Sequence, residues 1–240
     1  MLRVDLHMHT NRSSCGLHTL LEMLDASVRR GLEAVAVTDH GKALGGPGVS
    51  SVLLRRFPGE YMGMKVWKGI EANVLEDGGA DVPEALLPEF DVILLGIHPN
   101  IVTGQSSRYY TDLLLRCLER NPCVDILAHP DIRAYPVDFR RIARAAAEAG
   151  IAVEFNNANL AYAKTDLESV RQLIDAVRET GCRTVISGDA HTIFEIGDDR
   201  HVHDAFARLG VSDMSMLNDT LASAQAFIGE RRLRRQAIFG

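Results

Sequence analysis

Long apolar runs are missing from this sequence, whose hydrophobic 46% is interrupted by charge throughout its 240 residues. The opening MLRVDLHMHT also lacks the charged region and long apolar core of a signal peptide, so neither a secretory leader nor a membrane span is expected. Cysteine is scarce. Its four positions, 15, 117, 123 and 182, form no CxxC pair and no disulfide framework, which points to a cytoplasmic protein. Cys117, Cys123 and Cys182 fall in or beside helical pattern and read as small core residues. An excess of positive charge is lacking too. With 26 Lys and Arg against 32 Asp and Glu, the net charge of −6 argues against a protein that holds long nucleic acid by neutralising phosphates, and no stable nucleic-acid complex is expected. The one basic run, GERRLRRQ at 229–236, reads as a solvated helix face. No repeat and no low-complexity tract divides the chain, so residues 1–240 are expected to form a single enzyme-sized domain.

Histidine is what the chain does have. Six of its nine histidines stand where a short run rich in Val, Ile and Leu ends: His7 and His9 in VDLHMHT, His40 in AVAVTDH, His98 in DVILLGIHP, His129 in VDILAHP and His191 in TVISGDAH. Acidic residues occupy the same kind of position, as Glu71 in VWKGIEANV and Asp189 in GDAH. Such runs look like strands buried on both faces. Residues two apart on a strand share a face, so His7 pairs with His9 and Asp189 with His191, each pair aimed at one cavity. Asp5 has the parity of His7 and His9 and is expected one layer deeper, where it could fix the tautomer of a ligand histidine. Asp39 points the other way and is expected to cap a turn. His18, His201 and His203 lie in helical or loop context and read as surface positions.

Amphipathic helical pattern covers roughly 19–31, 107–120, 138–149 and 167–180, with more at 202–209 and 219–235. Strand and helix in alternation imply parallel strands. AVEFNNA at 152–158 adds a strand, giving about seven, enough for a (β/α) barrel whose function gathers at the C-terminal mouth. The stretch 41–51, GKALGGPGVSS, would be a long loop at that mouth, helping to build the pocket.

In their order, H-x-H, T-D-H, G-I-E, I-H-P, A-H-P and G-D-A-H resemble the polymerase and histidinol phosphatase (PHP) family, from His7 to about Thr192. DLHMHT, TDHG, GIEAN and the paired Asn after Glu154 are most similar to its small stand-alone bacterial phosphatases. The resemblance implies a distorted seven-stranded TIM-like α/β barrel and three divalent metals, zinc first, with manganese or iron as alternatives. It implies His7, His9, Glu71 and Asp189 at the first metal, Glu71 as a bridge with His98 and His129 at the second, and His40 and His191 at the third. The remaining third-site ligand is usually His or Asp in the family, and Cys15 stands at the matching position. A thiolate is a competent zinc ligand, so Cys15 is the expected donor, with His18 as the alternative.

That ligand set leads to a metal-dependent phosphoesterase acting on a small phosphate monoester. A hydroxide shared by two cations would be the nucleophile, and Glu71, Asp189, His40 and His191 would carry the catalytic centre. His40, His191 or a water would protonate the leaving group. Arg12, Lys42 and Arg133 follow ligand-bearing strand ends closely enough to contact the phosphate. The alternatives are a nuclease trimming oligonucleotide ends with the same cluster, an amidohydrolase-type C–N hydrolase, and a non-catalytic metal-binding module.

Overall fold

The expected strands form, and the candidate ligands stand just beyond their C-terminal ends, except Glu71, which lies within the last residues of its strand. The computed structural model describes residues 1–45, 49–104 and 106–239. Residues 46–48, part of the loop expected to shape the pocket, lie outside the described residues. The chain runs β1 (Val4–Asp5), α1 (Leu20–Arg29), β2 (Ala34–Val37), α2 (Ser51–Arg56), β3 (Glu60–Tyr61), β4 (Met64–Asn73), β5 (Val92–Gly96), α3 (Ser107–Arg120) and β6 (Ile126–Leu127). It continues with α4 (Phe139–Ala149), β7 (Ala152–Asn156), α5 (Asn157–Ala161), α6 (Leu167–Thr180), β8 (Thr184–Ser187), α7 (Arg200–Arg208) and α8 (Leu221–Phe239). Helix ends follow local chemistry. A capping box of Thr19 and Glu22 starts α1, and Asp138 and Asp166 cap α4 and α6. The last two helices stop at Gly150 and Gly181 in left-handed conformation.

Seven strands pair in the order β1-β2-β4-β5-β6-β7-β8, each neighbour parallel, with the short β3 antiparallel on β4. The result is the expected α/β barrel, nearly closed. Between β8 and β1 the ladder is replaced by other contacts. Met8 and Ala190 form an isolated parallel bridge, and the His9 N–H donates to the Ala190 carbonyl at 2.9 Å. Lower down, Asp5 Oδ1 accepts from the Gly188 N–H at 3.1 Å. Lower still, the buried Asn218 amide stands in for a strand. Its Nδ2 donates to the Val4 carbonyl at 2.9 Å and the Ile186 carbonyl at 2.6 Å, and its Oδ1 accepts from the Ile186 N–H at 3.1 Å. Asp5 is thus a seam residue, not the partner of a histidine ring.

Alternation along the strands sorts the core. Ala34 and Ala36, Trp67, Val92 and Leu94, Ile126 and Ala128, Ala152, and Val185 pack together inside the barrel. The intervening residues face helices, as Val35 and Val37 do with Met23 and Leu24. Ala224, Phe227 and Ile228 of α8 join the interior cluster, so this helix stoppers the barrel.

The same helix corrects the reading of 229–236 as a solvated face. Arg231 and Arg235 are 1% and 2% exposed. Arg231 Nε donates to Asp125 Oδ1 at 3.1 Å, and Arg235 pairs with Asp125 Oδ2. Their other nitrogens donate to the carbonyls of Val124, Ala149, Phe90 and Asp91, at the N-terminal ends of β5 to β7. Strand starts expose carbonyls and a guanidinium offers several donors, so two arginines satisfy the carbonyls at the starts of β5, β6 and β7.

Candidate metal centre

The inward register that builds the core continues into the mouth. Thr38 and His40 follow Ala34 and Ala36, Glu71 follows Trp67 and Gly69, Gly96 and His98 follow Leu94, and Asp189 follows Val185 and Ser187. His129 has the wrong parity, since Ile126 and Ala128 face inward. The backbone compensates with a φ of 34° at His129, and Asp189 also lies in the left-handed region at 53°. Such geometry costs on the order of 1–3 kcal/mol for a residue with a side chain and is characteristic of functional positions. Gly96 makes room beneath the rings, because a Cβ there would stand 2.7 Å from His129 Cε1 and 2.9 Å from His98 Cε1.

Four donor atoms converge first. His7 Nε2 lies 3.1 Å from His9 Nε2, 3.3 Å from Glu71 Oε2 and 3.4 Å from Asp189 Oδ1. His9 Nε2 is 3.4 Å from Glu71 Oε2 and 3.1 Å from Asp189 Oδ1. Ligands about 2.0–2.1 Å from a tetrahedral cation would be separated by roughly 3.3–3.4 Å, so the spacing fits a metal. Asp189 Oδ1 is buried and has no hydrogen-bond partner among the described residues. The other oxygen of Glu71, Oε1, faces His98 Nε2 at 3.0 Å and His129 Nε2 at 2.7 Å. His40 Nδ1 is 2.8 Å from Glu71 Oε2, and His9, His40 and His191 form a further group of convergent donors.

Second contacts set the tautomers. A carboxylate accepts, so Glu154 Oε1, 2.8 Å from His7 Nδ1, keeps the proton on that nitrogen and leaves Nε2 free to ligate. Ser13 Oγ donates to Asp39 at 2.7 Å and therefore accepts from His9 Nδ1 at 3.3 Å. The Asp189 carbonyl accepts from His191 Nδ1 at 2.8 Å. Asp39 also takes the Thr10 N–H and hydroxyl, which ties the loop after β1 to the end of β2. Burial drives the His9 ring down to about 3, whereas neighbouring carboxylates outweigh burial and raise His7 well above its usual value and His40 to about 10. Burial opposes ionisation of Glu71 and Asp189, yet the imidazoles outweigh it and hold both carboxyls well below their usual range. For Glu71 these are His98, His7 and His40, and for Asp189 the foremost is His7.

Cys15 sits at the rim of the same cleft and is exposed. Its partial burial raises the thiol, but hydrogen bonding to His191 and His40 outweighs this and brings it down to about 6. His18 is turned away, its Nδ1 accepting the Ile193 N–H at 3.4 Å. The cleft measures about 720 Å³ and opens over the cluster. Arg133 lines it, whereas Arg12 and Lys42 are not among its lining residues. His201 and His203 lie on the surface.

Two contributors, named in the sequence reading only for the family resemblance, were given no part in the site there. Glu154 is fully buried, with Oε2 accepting from the His129 N–H at 2.9 Å and from Asn156 Nδ2 at 3.0 Å. Asn156 also donates to Asp189 Oδ2 at 3.1 Å. Their signal was a lone carboxylate and an amide at inward parity in an otherwise apolar strand.

A model of the PHP domain matches residues 5–158. The chain belongs to the PHP domain family. Asp189 and His191 lie beyond the matched segment, yet the barrel returns them to the same cluster. A probable phosphatase from Shewanella piezotolerans is 35% identical over 204 residues, covering 81% of this chain and 80% of its own. One from Acetivibrio thermocellus is 30% identical over 238 residues, covering 97% and 98%. The solved histidinol phosphate phosphatase of Lactococcus lactis, complexed with zinc, L-histidinol and phosphate, superposes with a TM-score of 0.63 at 15% identity, over 90% of this chain and 97% of that one, which shows a common fold.

Proposed function

We propose that this PHP protein is a metal-dependent phosphatase that hydrolyses a small phosphate monoester at a trinuclear centre, the 240 residues acting as one catalytic unit. The observation that carries this reading is the posture of Glu71, whose two oxygens face different histidine sets, His7, His9 and His40 on one side and His98 and His129 on the other. A carboxylate so placed would bridge two cations. His7, His9 and Asp189 would complete one site, His98 and His129 the second, and His40, His191 and Cys15 the third. Imidazole with carboxylate and thiolate favours zinc, with manganese or iron as the alternatives.

Divalent cations held there supply Lewis acidity at the phosphoryl oxygens and lower the pKa of water. The protein's own part is to place the ester and exclude bulk solvent. The cleft is of small-molecule size, and Arg133 on its wall offers an anion a fixed cation. The phosphatase descriptions of the Shewanella and Acetivibrio relatives support the same chemistry.

The test is elemental analysis of the purified protein, paired with hydrolysis of an aryl phosphate before and after chelation. About three metals per chain, and activity that chelation removes and metal restores, are expected. Fewer than two metals and no activity on reconstitution would refute the reading. Alkylating Cys15 in the metal-free protein should lower the metal count, and a full count would remove Cys15 from the third site.

A further inference from the structure

The wall of the cleft beyond the donor cluster comes from two segments, the loop after β6 and the turn after α5. The Arg133 N–H donates to the Lys164 carbonyl at 3.1 Å, and Arg133 Nη2 donates to the Ala163 carbonyl at 2.9 Å. The Lys164 N–H in turn donates to the Asn159 carbonyl at 2.8 Å. Arg133, Lys164 and Asn159 therefore belong to one hydrogen-bonded wall, and all three line the cleft.

Asn159 is the unusual member. Its backbone is fully employed, with its N–H capped by Asn156 Oδ1 at 2.9 Å. Its side chain is only 1% exposed, yet neither Oδ1 nor Nδ2 has a partner among the described residues. A buried amide normally finds partners, and one that lines a cleft with both polar atoms unpaired can serve a ligand there. The neighbouring charge gives the sign. Lys164 is exposed toward the cleft, and Arg133 shares its charge with Asp166 at 3.5 Å while remaining 56% exposed. The same cleft is also lined by the apolar Ile97, Ile132 and Ala134 and by Tyr135.

We propose that Asn159, Lys164 and Arg133 form a second subsite, which binds an anionic group, a carboxylate or a second phosphate, on the alcohol half of the substrate. The Asn159 Nδ2–H and the two cations take the anion, and Asn159 Oδ1 accepts from a donor beside it. The substrate is thus an ester with a phosphate at one end, an apolar body, and a second anion at the other. The inference rests on the phosphatase reading above.

The experiment compares kcat/KM for phenyl phosphate, 4-carboxyphenyl phosphate and 1,4-phenylene bisphosphate in the metal-loaded protein and in the Asn159→Leu and Lys164→Gln variants. A hydrogen bond to a charged group predicts a preference of about tenfold or more for one of the two esters that carry a second anionic end. Which one is preferred identifies the second anion as carboxylate or phosphate. In each variant the preference should fall toward unity, mainly through KM, and the melting temperature of Asn159→Leu should not drop. Equal turnover of all three esters by the wild type overturns the subsite. So does a preference that survives both substitutions, or a destabilised Asn159→Leu variant with its preference intact, which would make the amide scaffolding. If no ester is hydrolysed, the phosphatase reading fails separately. Calorimetric affinities for the same three compounds then supply the ratio, and equal affinities refute the subsite.

Discussion

Replacing Glu154 by Gln tests whether the second contacts, as well as the ligands, make the centre. The carboxylate meets three donors, His7 Nδ1 at 2.8 Å, the His129 N–H at 2.9 Å and Asn156 Nδ2 at 3.0 Å. A glutamine has one oxygen and one NH2, so in either orientation an N–H confronts an N–H. With the amide group toward His7, the imidazole must move its proton to Nε2, the atom that lies 3.3 Å from Glu71 Oε2 in the donor cluster. With the amide group toward His129, a backbone N–H loses its acceptor in the interior, at a cost of about 1–3 kcal/mol. Loss of an outer partner of a ligand histidine weakens metal binding by roughly 10–100-fold, equivalent to about 1.4–2.8 kcal/mol. Competition against a chromophoric chelator reads that loss without relying on turnover. An affinity within about twofold of wild type, with an unchanged melting temperature, would refute the assignment of Glu154 as the residue that orients His7.

Other substitutions probe the remaining supports. In Gly96→Ala the new methyl would lie 2.7 Å from His129 Cε1 and 2.9 Å from His98 Cε1, so both rings must shift. The bound metal count should fall by about one and aryl phosphate turnover by roughly 100-fold, checked by elemental analysis and kinetics. Asp125→Asn leaves Arg231 and Arg235 buried without their carboxylate, at a cost of about 3–5 kcal/mol. The melting temperature should drop by roughly 6–20 °C, whereas a solvated basic run would shift it hardly at all.

What was legible in the sequence, and what was not, divides along the range of the interactions. Period-two alternation and Val/Ile runs are local signals, and they located all seven barrel strands and placed His40, Glu71, His98 and Asp189 at their inner C-terminal ends. Helices 107–120 and 167–180 coincide with α3 and α6 because the Ser cap of the first, and the Asp cap and Gly stop of the second, are local too. His129 was found as a strand-end histidine, but its parity alone would have sent it outward, and only the positive φ turns it in. Asp5 went wrong for the same reason, since it pairs with the helix-facing Val35 and not with the inward layer that His7 and His9 join, and its carboxylate meets the N–H of Gly188, just beyond β8 across the seam. Arg231 and Arg235 look like any solvated basic run until the ends of β5 to β7 are in place to receive them. Asn159 and Lys164 gave no sequence signal, since a cleft wall made of two loops has no period.

The seam between β1 and β8 joins folding to the site, and Asn218 is where that link can be measured. The ladder is incomplete there, yet His7 and His9 follow β1 while Asp189 and His191 follow β8. Ions shared across the gap would cross-link the two sides at the top, as Asn218 does at the bottom. In Asn218→Leu the Val4 carbonyl and the Ile186 carbonyl and N–H all lose their partner in a buried position. At about 1 kcal/mol or more for each, the metal-free protein should lose roughly 3 kcal/mol, even though Asn218 touches none of the donor atoms. If the loss acts by letting the seam open, the open form cannot gather both ligand sets. Metal affinity should then fall in proportion to the closed fraction, and metal in excess should recover part of the lost stability. Hydrogen exchange at Gly188 and His9, whose N–H groups bond across the seam to Asp5 and Ala190, with and without zinc, would show this directly as protection that is lost in the variant and restored by metal. A variant that is destabilised to the same extent with and without metal, and binds zinc as tightly as wild type, would mean that the seam opens only when the whole barrel unfolds. Asn218 would then contribute to stability independently of the metal centre.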